Sequence, residues 1–306
     1  MALNLTPCPP PHPAPHPPAR RPPARRPPED ACDSHCHIFG PFERFPLPDD
    51  RSFTPSEAPE PALRALHDTL GFSRAVIVQS QGHGVDHGPL LEALAGNPER
   101  YRGVALLKSS TPQADILRLD AAGVCGVRFN FLSHLGGTPD LDAAGMVARR
   151  VAPLGWHVAI HVAGTDLVRH ADFITGLPTP VVIDHMARPD LDEDLDAIRA
   201  TLFRLLDTGR VWVKLSGADR LSKAGAPYAD VVPYARSLLD HAPERMLWGS
   251  DWPHVNLHGA MPDDGTLVDW IDAIAPSADL KRRLLVDNPQ ALFGFPASGN
   301  PLRPER

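Results

Sequence analysis

The chain has little cysteine, and its four thiols are too scattered for a disulfide framework. Cys8 lies in a proline-rich segment, Cys32 and Cys36 flank a histidine, and Cys125 precedes a β-branched run. Small secreted domains held by disulfides carry a much denser pattern. A zinc knuckle on Cys32 and Cys36 would need a second Cys/His cluster at finger spacing, which the sequence lacks. We therefore expect a reducing, cytoplasmic environment.

Long apolar runs and an excess of positive charge are also missing. No run reaches the roughly 18 apolar residues of a membrane span, and the N-terminus lacks the apolar centre of a secretory signal. The net charge is −7 and the pI about 6.1, so neither a membrane nor nucleic acid is an expected partner. No GxGxxG follows a predicted strand, which argues against a dinucleotide-binding fold. We expect a small-molecule substrate as the partner instead.

The two ends of the chain differ in composition from the middle. Residues 1–30 include twelve prolines, two arginine pairs and almost nothing apolar, a composition that predicts an extended, disordered tail. Residues 295–306 are polar and contain proline, and we expect a second tail there. A single domain is predicted over residues 31–294.

Within that domain, short β-branched runs alternate with longer segments of helical periodicity, such as 60–70 with Leu63, Leu66 and Leu70. The predicted strands are 31–37, 74–79, 102–107, 126–131, 156–162, 181–186, 211–216 and 246–251. The predicted helices are 60–70, 89–95, 113–122, 141–154, 195–206, 228–241, 266–275 and 278–285, followed by a turn at 288–293. Eight strands with helical crossovers indicate an α/β fold, a (β/α)8 TIM barrel, with an open doubly wound sheet as the alternative.

Polar residues recur at the C-terminal ends of the predicted strands, where barrel enzymes have their active sites. His35 and His37 end the first strand and share one face, because side chains alternate along a strand. The other strand ends carry Ser80, Arg128, Asn130, His161, His185, Ser216 and Asp251. Scattered core histidines would not favour strand ends in this way. The sequence therefore predicts one functional cluster at the barrel rim.

The residue types at this rim suit hydrolytic chemistry. We predict one divalent ion, zinc by preference, on His35, His37, His161 and Asp251. Water bound to zinc ionises near neutrality, and Asp251 can accept its proton. The structural alternative for Asp251 is a helix N-cap. The histidine pair would serve equally well to polarise a carbonyl, so a mechanism without metal stays open.

Arg128 is predicted to bind a substrate carboxylate. A guanidinium that faces the barrel mouth is costly to desolvate unless it meets an anion, and a carboxylate can bind it with two hydrogen bonds. The alternative is a structural ion pair. Arg220 is a second candidate and Arg188 a weaker one. The remaining candidates for substrate contact are Ser80, Asn130, His134 and His254.

Six segments together carry a resemblance to a known family. They are DSHCHIFGP at 33–41, VRFNF at 127–131, IDHM at 183–186, RPD at 188–190, KLS at 214–216 and WGSDWP at 248–253. They resemble the amidohydrolase superfamily, in the subgroup of 2-pyrone-4,6-dicarboxylate lactonase and sugar-acid lactonases. The resemblance implies a barrel hydrolase in which His35, His37 and His185 polarise a lactone carbonyl and Asp251 activates water. It also implies that Arg128 and Arg220 bind carboxylates, and the pyrone lactonase works without a metal.

Two positions depart from that pattern. His134 stands where the pyrone lactonase carries a second arginine, and His161 stands where it has a tyrosine. The first departure points away from the same dicarboxylate substrate. The second points toward a metal, because metal-dependent members of the superfamily place a ligating histidine at this strand end.

The sequence thus predicts a hydrolase that opens a carboxylate-bearing lactone. The first alternative is a metal-dependent decarboxylase of an aromatic or unsaturated acid, which the same superfamily supports on the same rim. A second alternative is a binding protein that keeps the barrel without catalysis, although polar residues at five strand ends argue against it. Barrel hydrolases often form homo-oligomers, but no residue stripe identifies an interface.

Overall fold

The computed structural model describes residues 21–132, 140–192, 195–257 and 261–296, and its eight strands form one sheet. Each strand pairs in parallel with the next along the chain. The strands are β1 (Cys32–Cys36), β2 (Arg74–Val78), β3 (Tyr101–Ala105), β4 (Val124–Asn130), β5 (His157–His161), β6 (Val181–Ile183), β7 (Val211–Lys214) and β8 (Met246–Leu247). All eight predicted strands are present, and most end earlier than predicted.

Backbone hydrogen bonds join β1 to the segment that follows β8. Ser34 N donates to Trp248 O at 2.9 Å, and Asp251 N donates to His35 O at 2.8 Å. These bonds bring the two edges of the sheet together, so the predicted (β/α)8 barrel is confirmed and the open sheet is not. They also fix Asp251 beside the first-strand histidines.

Helices cover the outside of the barrel. They are α1 (Glu60–Leu70), α2 (Gly88–Gly96), α3 (Gln113–Ala121), α4 (Leu141–Val151), α5 (Thr165–Gly176), α6 (Asp196–Asp207), α7 (Ala218–Leu221), α8 (Val232–His241), α9 (Asp264–Ile274), α10 (Ala278–Arg282) and α11 (Asn288–Phe293). The predicted turn at 288–293 is helical. The sequence did not predict α5, because only Leu167, Ala171 and Ile174 mark its buried face among polar neighbours. None of the described helices has the length and apolar character that crossing a bilayer requires.

The strand residues alternate between two apolar clusters. Ala75 and Ile77 pack against the helices, whereas Val76 and Val78 belong to a second cluster that includes Ala159. His161 lies two residues beyond Ala159 on the same face of β5. The inner face of the sheet is therefore apolar along much of its length and carries polar side chains at the C-terminal ends of the strands.

Residues 21–25, within the predicted N-terminal tail, lie against α9. Arg21 forms an ion pair with Asp269 at 2.7 Å, and Ala24 N donates to the same carboxylate at 2.6 Å. These contacts could not be predicted from the sequence, because proline-rich composition reveals the lack of apolar burial but not the acidic side chains that face the arginines.

Candidate active site

Asp33 ties β1 to the loop after β8. Its Oδ1 accepts the backbone N–H groups of His35 (3.1 Å) and Ser250 (3.0 Å), and its Oδ2 accepts the Ser250 hydroxyl at 2.6 Å. His67 Nε2 lies 3.1 Å from Oδ2, and the whole network is buried. A buried carboxylate with four partners is held in one geometry, and it holds Ser250, the neighbour of Asp251. The sequence-based prediction missed Asp33, although it opens the histidine motif.

Three imidazoles and one guanidinium converge on Asp251. The Nε2 atoms of His37, His35 and His185 lie 3.3, 3.6 and 3.8 Å from its Oδ1. Arg220 Nε donates to its Oδ2 at 2.7 Å. Burial alone would raise the pKa of Asp251, but the Arg220 guanidinium holds it well below its usual range. Asp251 is therefore an ionised carboxylate at the centre of the rim.

A strained turn follows β6. Residues 185–188 all have positive φ, between 42° and 60°, and none is glycine. Each such residue costs on the order of 1 kcal/mol, and this kind of strain is concentrated at functional sites. The turn places His185 Nδ1 2.9 Å from Ser216 Oγ. Burial lowers the pKa of His185 to about 3 despite the opposing charge of Asp251, so His185 is neutral.

Behind the histidines lies a buried charge network around Asp184. Its Oδ1 is 3.0 Å from Lys214 Nζ, and its Oδ2 accepts Arg128 Nε at 2.8 Å. Burial alone would raise the pKa of Asp184, but Lys214, His35 and Arg128 hold it well below its usual range. Burial and the Lys214 ammonium also lower the pKa of His35 well below its usual value. The structural ion pair considered for Arg128 is thus present.

A cleft of about 550 Å³, including its open mouth, lies above Asp251. Besides His37, His185 and Asp251, six further predicted candidates line it: Ser80, Arg128, Asn130, His161, Arg188 and Arg220. Arg128 and Arg220 each have a carboxylate partner. Within the described ranges, no ion pair involves Arg188, which leaves its guanidinium available to a ligand. The cleft therefore suits an anionic small molecule.

The structure places the predicted contact residue His254 differently. His254 is buried, with its Nε2 2.9 Å from Asp264 Oδ1, and is not among the described residues that line the cleft. Burial opposes protonation of His254, but Asp264 outweighs it and raises the pKa of His254. His134 lies outside the described residues.

His161 contacts the arginine side of the cleft. Its Nδ1 lies 3.1 Å from Asn130 Oδ1, and its Nε2 lies 3.5 Å from Arg188 NH1. Burial and the nearby Arg128 charge lower the pKa of His161 well below its usual value. A neutral imidazole that donates from Nδ1 to an amide oxygen turns its Nε2 lone pair toward Arg188.

The predicted metal ligands fit a shared ion only in part. His35 Nε2, His37 Nε2 and Asp251 Oδ1 lie within 4.8 Å of one another, close enough for one ion. A metal-ligating histidine normally donates its other ring N–H to an acceptor, and His37 Nδ1 lies 2.7 Å from Val78 O.

His35 lacks this arrangement, and His161 has it through Asn130 but turns its free ring nitrogen toward a cation. The nearest group to His35 Nδ1 is the Lys214 ammonium at 2.9 Å, and His161 Nε2 faces Arg188. The set predicted from the sequence, with all four residues on one ion, does not fit the observed contacts.

Similarity to known proteins agrees with this architecture. The chain is 45% identical over 273 residues to 2-pyrone-4,6-dicarboxylate hydrolase of Comamonas testosteroni, covering 86% of this chain and 90% of the relative. It is 37% identical to 4-sulfomuconolactone hydrolase of Rhizobium radiobacter, with coverage of 86% and 90%. An Agrobacterium tumefaciens protein solved in its apo form matches with a TM-score of 0.78 and 31% identity, over 89% of this chain and 98% of that one. The amidohydrolase family model matches residues 32–295, and this chain therefore belongs to the amidohydrolase family.

Proposed function

We propose that this protein hydrolyses a lactone that carries a carboxylate. The observation that carries the proposal is the convergence of three histidines and Arg220 on the ionised Asp251, beneath a cleft lined by arginines. The two curated relatives named above, a pyrone dicarboxylate hydrolase and a sulfomuconolactone hydrolase, both take lactones with anionic substituents. A carboxylate-bearing lactone offers a carbonyl to the histidines and Asp251 at the rim and an anion to the arginines of the cleft.

Asp251 is the proposed general base. It accepts a proton from a water molecule whose oxygen attacks the lactone carbonyl. The imidazoles of His35, His37 and His185 surround the same point, and a ring N–H directed there stabilises the negative charge that develops on the carbonyl oxygen. When the ring C–O bond breaks, the proton held by Asp251 passes to the leaving oxygen. Because its pKa is held low, Asp251 is ready for the next turnover at neutral pH.

The arginines are the proposed anchors for the substrate. Arg188 has no ion pair in the described part of the chain, and Arg128 and Arg220 add positive charge to the same cleft. A carboxylate held by guanidinium groups fixes the ring for attack. Ser80 and Asn130 line the cleft and supply uncharged polar contacts. Contacts from His134 and His254 remain predictions from the sequence.

We expect purified protein to convert 2-pyrone-4,6-dicarboxylate or 4-sulfomuconolactone to a ring-opened acid that has gained one water. An uncharged lactone should react with a kcat/KM about 10- to 100-fold lower, because it lacks the charge-assisted hydrogen bonds to the arginines. Mass analysis identifies the ring-opened product, and following its formation over time gives kcat/KM for each lactone. Release of carbon dioxide would favour the decarboxylase instead, and tight binding without turnover would favour the binding protein.

The contacts of His35 and His161 favour the mechanism without metal over a zinc centre on His35, His37, His161 and Asp251. We therefore expect protein purified without chelator to hold less than about a tenth of an equivalent of zinc or manganese. Activity should survive EDTA. Elemental analysis and an assay after dialysis test this expectation. Nearly one equivalent, with activity lost to EDTA and restored by zinc, would establish the metal-dependent version.

A further inference from the structure

Lys214 is a fully buried cation at the C-terminal end of β7. Its side chain has 0% exposure, and its Nζ lies 2.9 Å from His35 Nδ1 and 3.0 Å from Asp184 Oδ1. Burying an ammonium group costs several kcal/mol unless its partners compensate. Arg128 already pairs with Asp184 at 2.8 Å, so charge balance at Asp184 does not by itself account for a second cation. The contact between Lys214 and His35 has no role in the proposed mechanism as described above.

The direction of that hydrogen bond determines where His35 carries its proton. An ammonium group has donors only, so His35 Nδ1 must accept, and the ring proton must lie on Nε2. In the described part of the chain, His35 Nε2 is buried and makes no hydrogen bond. It lies 3.6 Å from Asp251 Oδ1. His35 therefore directs an unused N–H toward the point where the histidines converge.

His37 has the opposite arrangement. The carbonyl oxygen of Val78 lies 2.7 Å from His37 Nδ1 and can only accept. The Nδ1 atom of His37 therefore carries a proton, and a neutral His37 presents a lone pair at Nε2. Two histidines that share one strand face thus differ: His35 offers a donor and His37 an acceptor.

We propose that Lys214 is a positioning residue that fixes His35 as the Nε2–H tautomer. The link to catalysis rests on the proposed lactone hydrolysis, in which the His35 N–H donates to the carbonyl oxygen. The effect of Lys214 on metal binding does not depend on the proposed lactone hydrolysis. Asp184 Oδ1 lies 3.3 Å from His35 Nδ1. Without Lys214, the ring proton moves to His35 Nδ1 and the Nδ1–H group donates a hydrogen bond to this carboxylate, which leaves a lone pair at Nε2, the arrangement of a metal ligand.

The tautomer is measured directly by NMR of protein labelled with 15N-histidine. In the wild type we expect a protonated Nε2 and an unprotonated Nδ1 for His35, with its signals assigned by their loss in His35→Gln. In Lys214→Met we expect the proton on Nδ1 and an affinity for zinc raised about tenfold or more. Steady-state kinetics should show a lower kcat with little change in KM. Lys223→Met is the matched control, because Lys223 is half-exposed and, within the described ranges, its ion pairs are with the loop carboxylates of Asp190 and Asp192; it should match the wild type in every readout.

A proton on His35 Nδ1 in the wild type would overturn the proposal, and this result does not depend on whether Lys214→Met folds. Lys214→Met with the wild-type tautomer and zinc affinity would also overturn it, provided that circular dichroism shows a folded protein. If no lactone is turned over, the proposed function fails, but the tautomer and zinc measurements still decide the role of Lys214.

Discussion

Replacing Asp251 with asparagine lowers kcat by about 10³-fold, within the 10²- to 10⁴-fold that a general base typically contributes. Asparagine keeps the shape of the side chain and can still accept a hydrogen bond from Arg220 through its amide oxygen. It cannot take a proton from water. KM should change less than kcat, because the arginines of the cleft remain in place. Steady-state kinetics on the ring-opening reaction measure both constants.

Asp207→Asn is the control for this experiment. Asp207 is an exposed carboxylate at the end of α6 that contacts His241 and is not among the described residues that line the cleft. Its kcat should stay within about twofold of the wild type, as is usual for surface substitutions. A kcat within about tenfold of the wild type for Asp251→Asn would remove Asp251 from the role of general base.

Replacing Asp184 with asparagine destabilises the fold by about 3–5 kcal/mol, the usual cost of breaking a buried ion pair. Lys214 and Arg128 would both lose a fully buried anionic partner, since the Asp184 carboxylate has 0% exposure. Asp190→Asn is the matched control, because Asp190 and its partner Lys223 lie in exposed loops and screening weakens their attraction. Urea unfolding of the three proteins at neutral pH measures the difference.

The Asp184 contribution also predicts a pH dependence. The pKa of Asp184 is lowered in the folded protein. Its stabilisation is therefore present above the unfolded-state pKa of about 3.9 and is lost as the pH falls toward the lower folded value. The gap in unfolding free energy between wild type and Asp184→Asn should be constant near neutrality and shrink in acid. If wild type and Asp184→Asn differed equally in unfolding free energy at neutral and acidic pH, or did not differ at neutral pH, the role given to the ion pairs would be contradicted.

The sequence predicted the architecture well because the strands are β-branched runs of the right length and spacing. The predicted strands ran past the observed ends, most clearly at β8, which stops at Leu247 rather than Asp251. Polar and apolar residues go on alternating after the last hydrogen bond between neighbouring strands, so the sequence pattern extends each predicted strand too far. Their actual backbone is irregular, with positive φ at His185 and Asp251. This conformation comes from tertiary contacts such as those of Asp33, which local pattern does not reveal.

At the site, the strand-end rule found the histidines and Asp251 but missed the charges behind them. Asp184 immediately precedes His185, and Lys214 interrupts the apolar run of β7. A lone charge within an apolar strand is itself a sign of a buried partner. Which partner it meets depends on the closed barrel, which brings β6 and β7 together behind β1. The contact between His161 and Arg188 was likewise invisible, because it depends on the turn at 185–188.

Hydrolysis in 18O-enriched water tests the central claim most directly. Purified protein is incubated with 2-pyrone-4,6-dicarboxylate, and the product is examined by mass spectrometry alongside an Asp251→Asn sample. Attack by water on the lactone carbonyl predicts one 18O atom in the new carboxylate of each wild-type product and almost no product from the variant. Unlabelled product, loss of carbon dioxide, or an equal amount of labelled product from the variant would contradict the account.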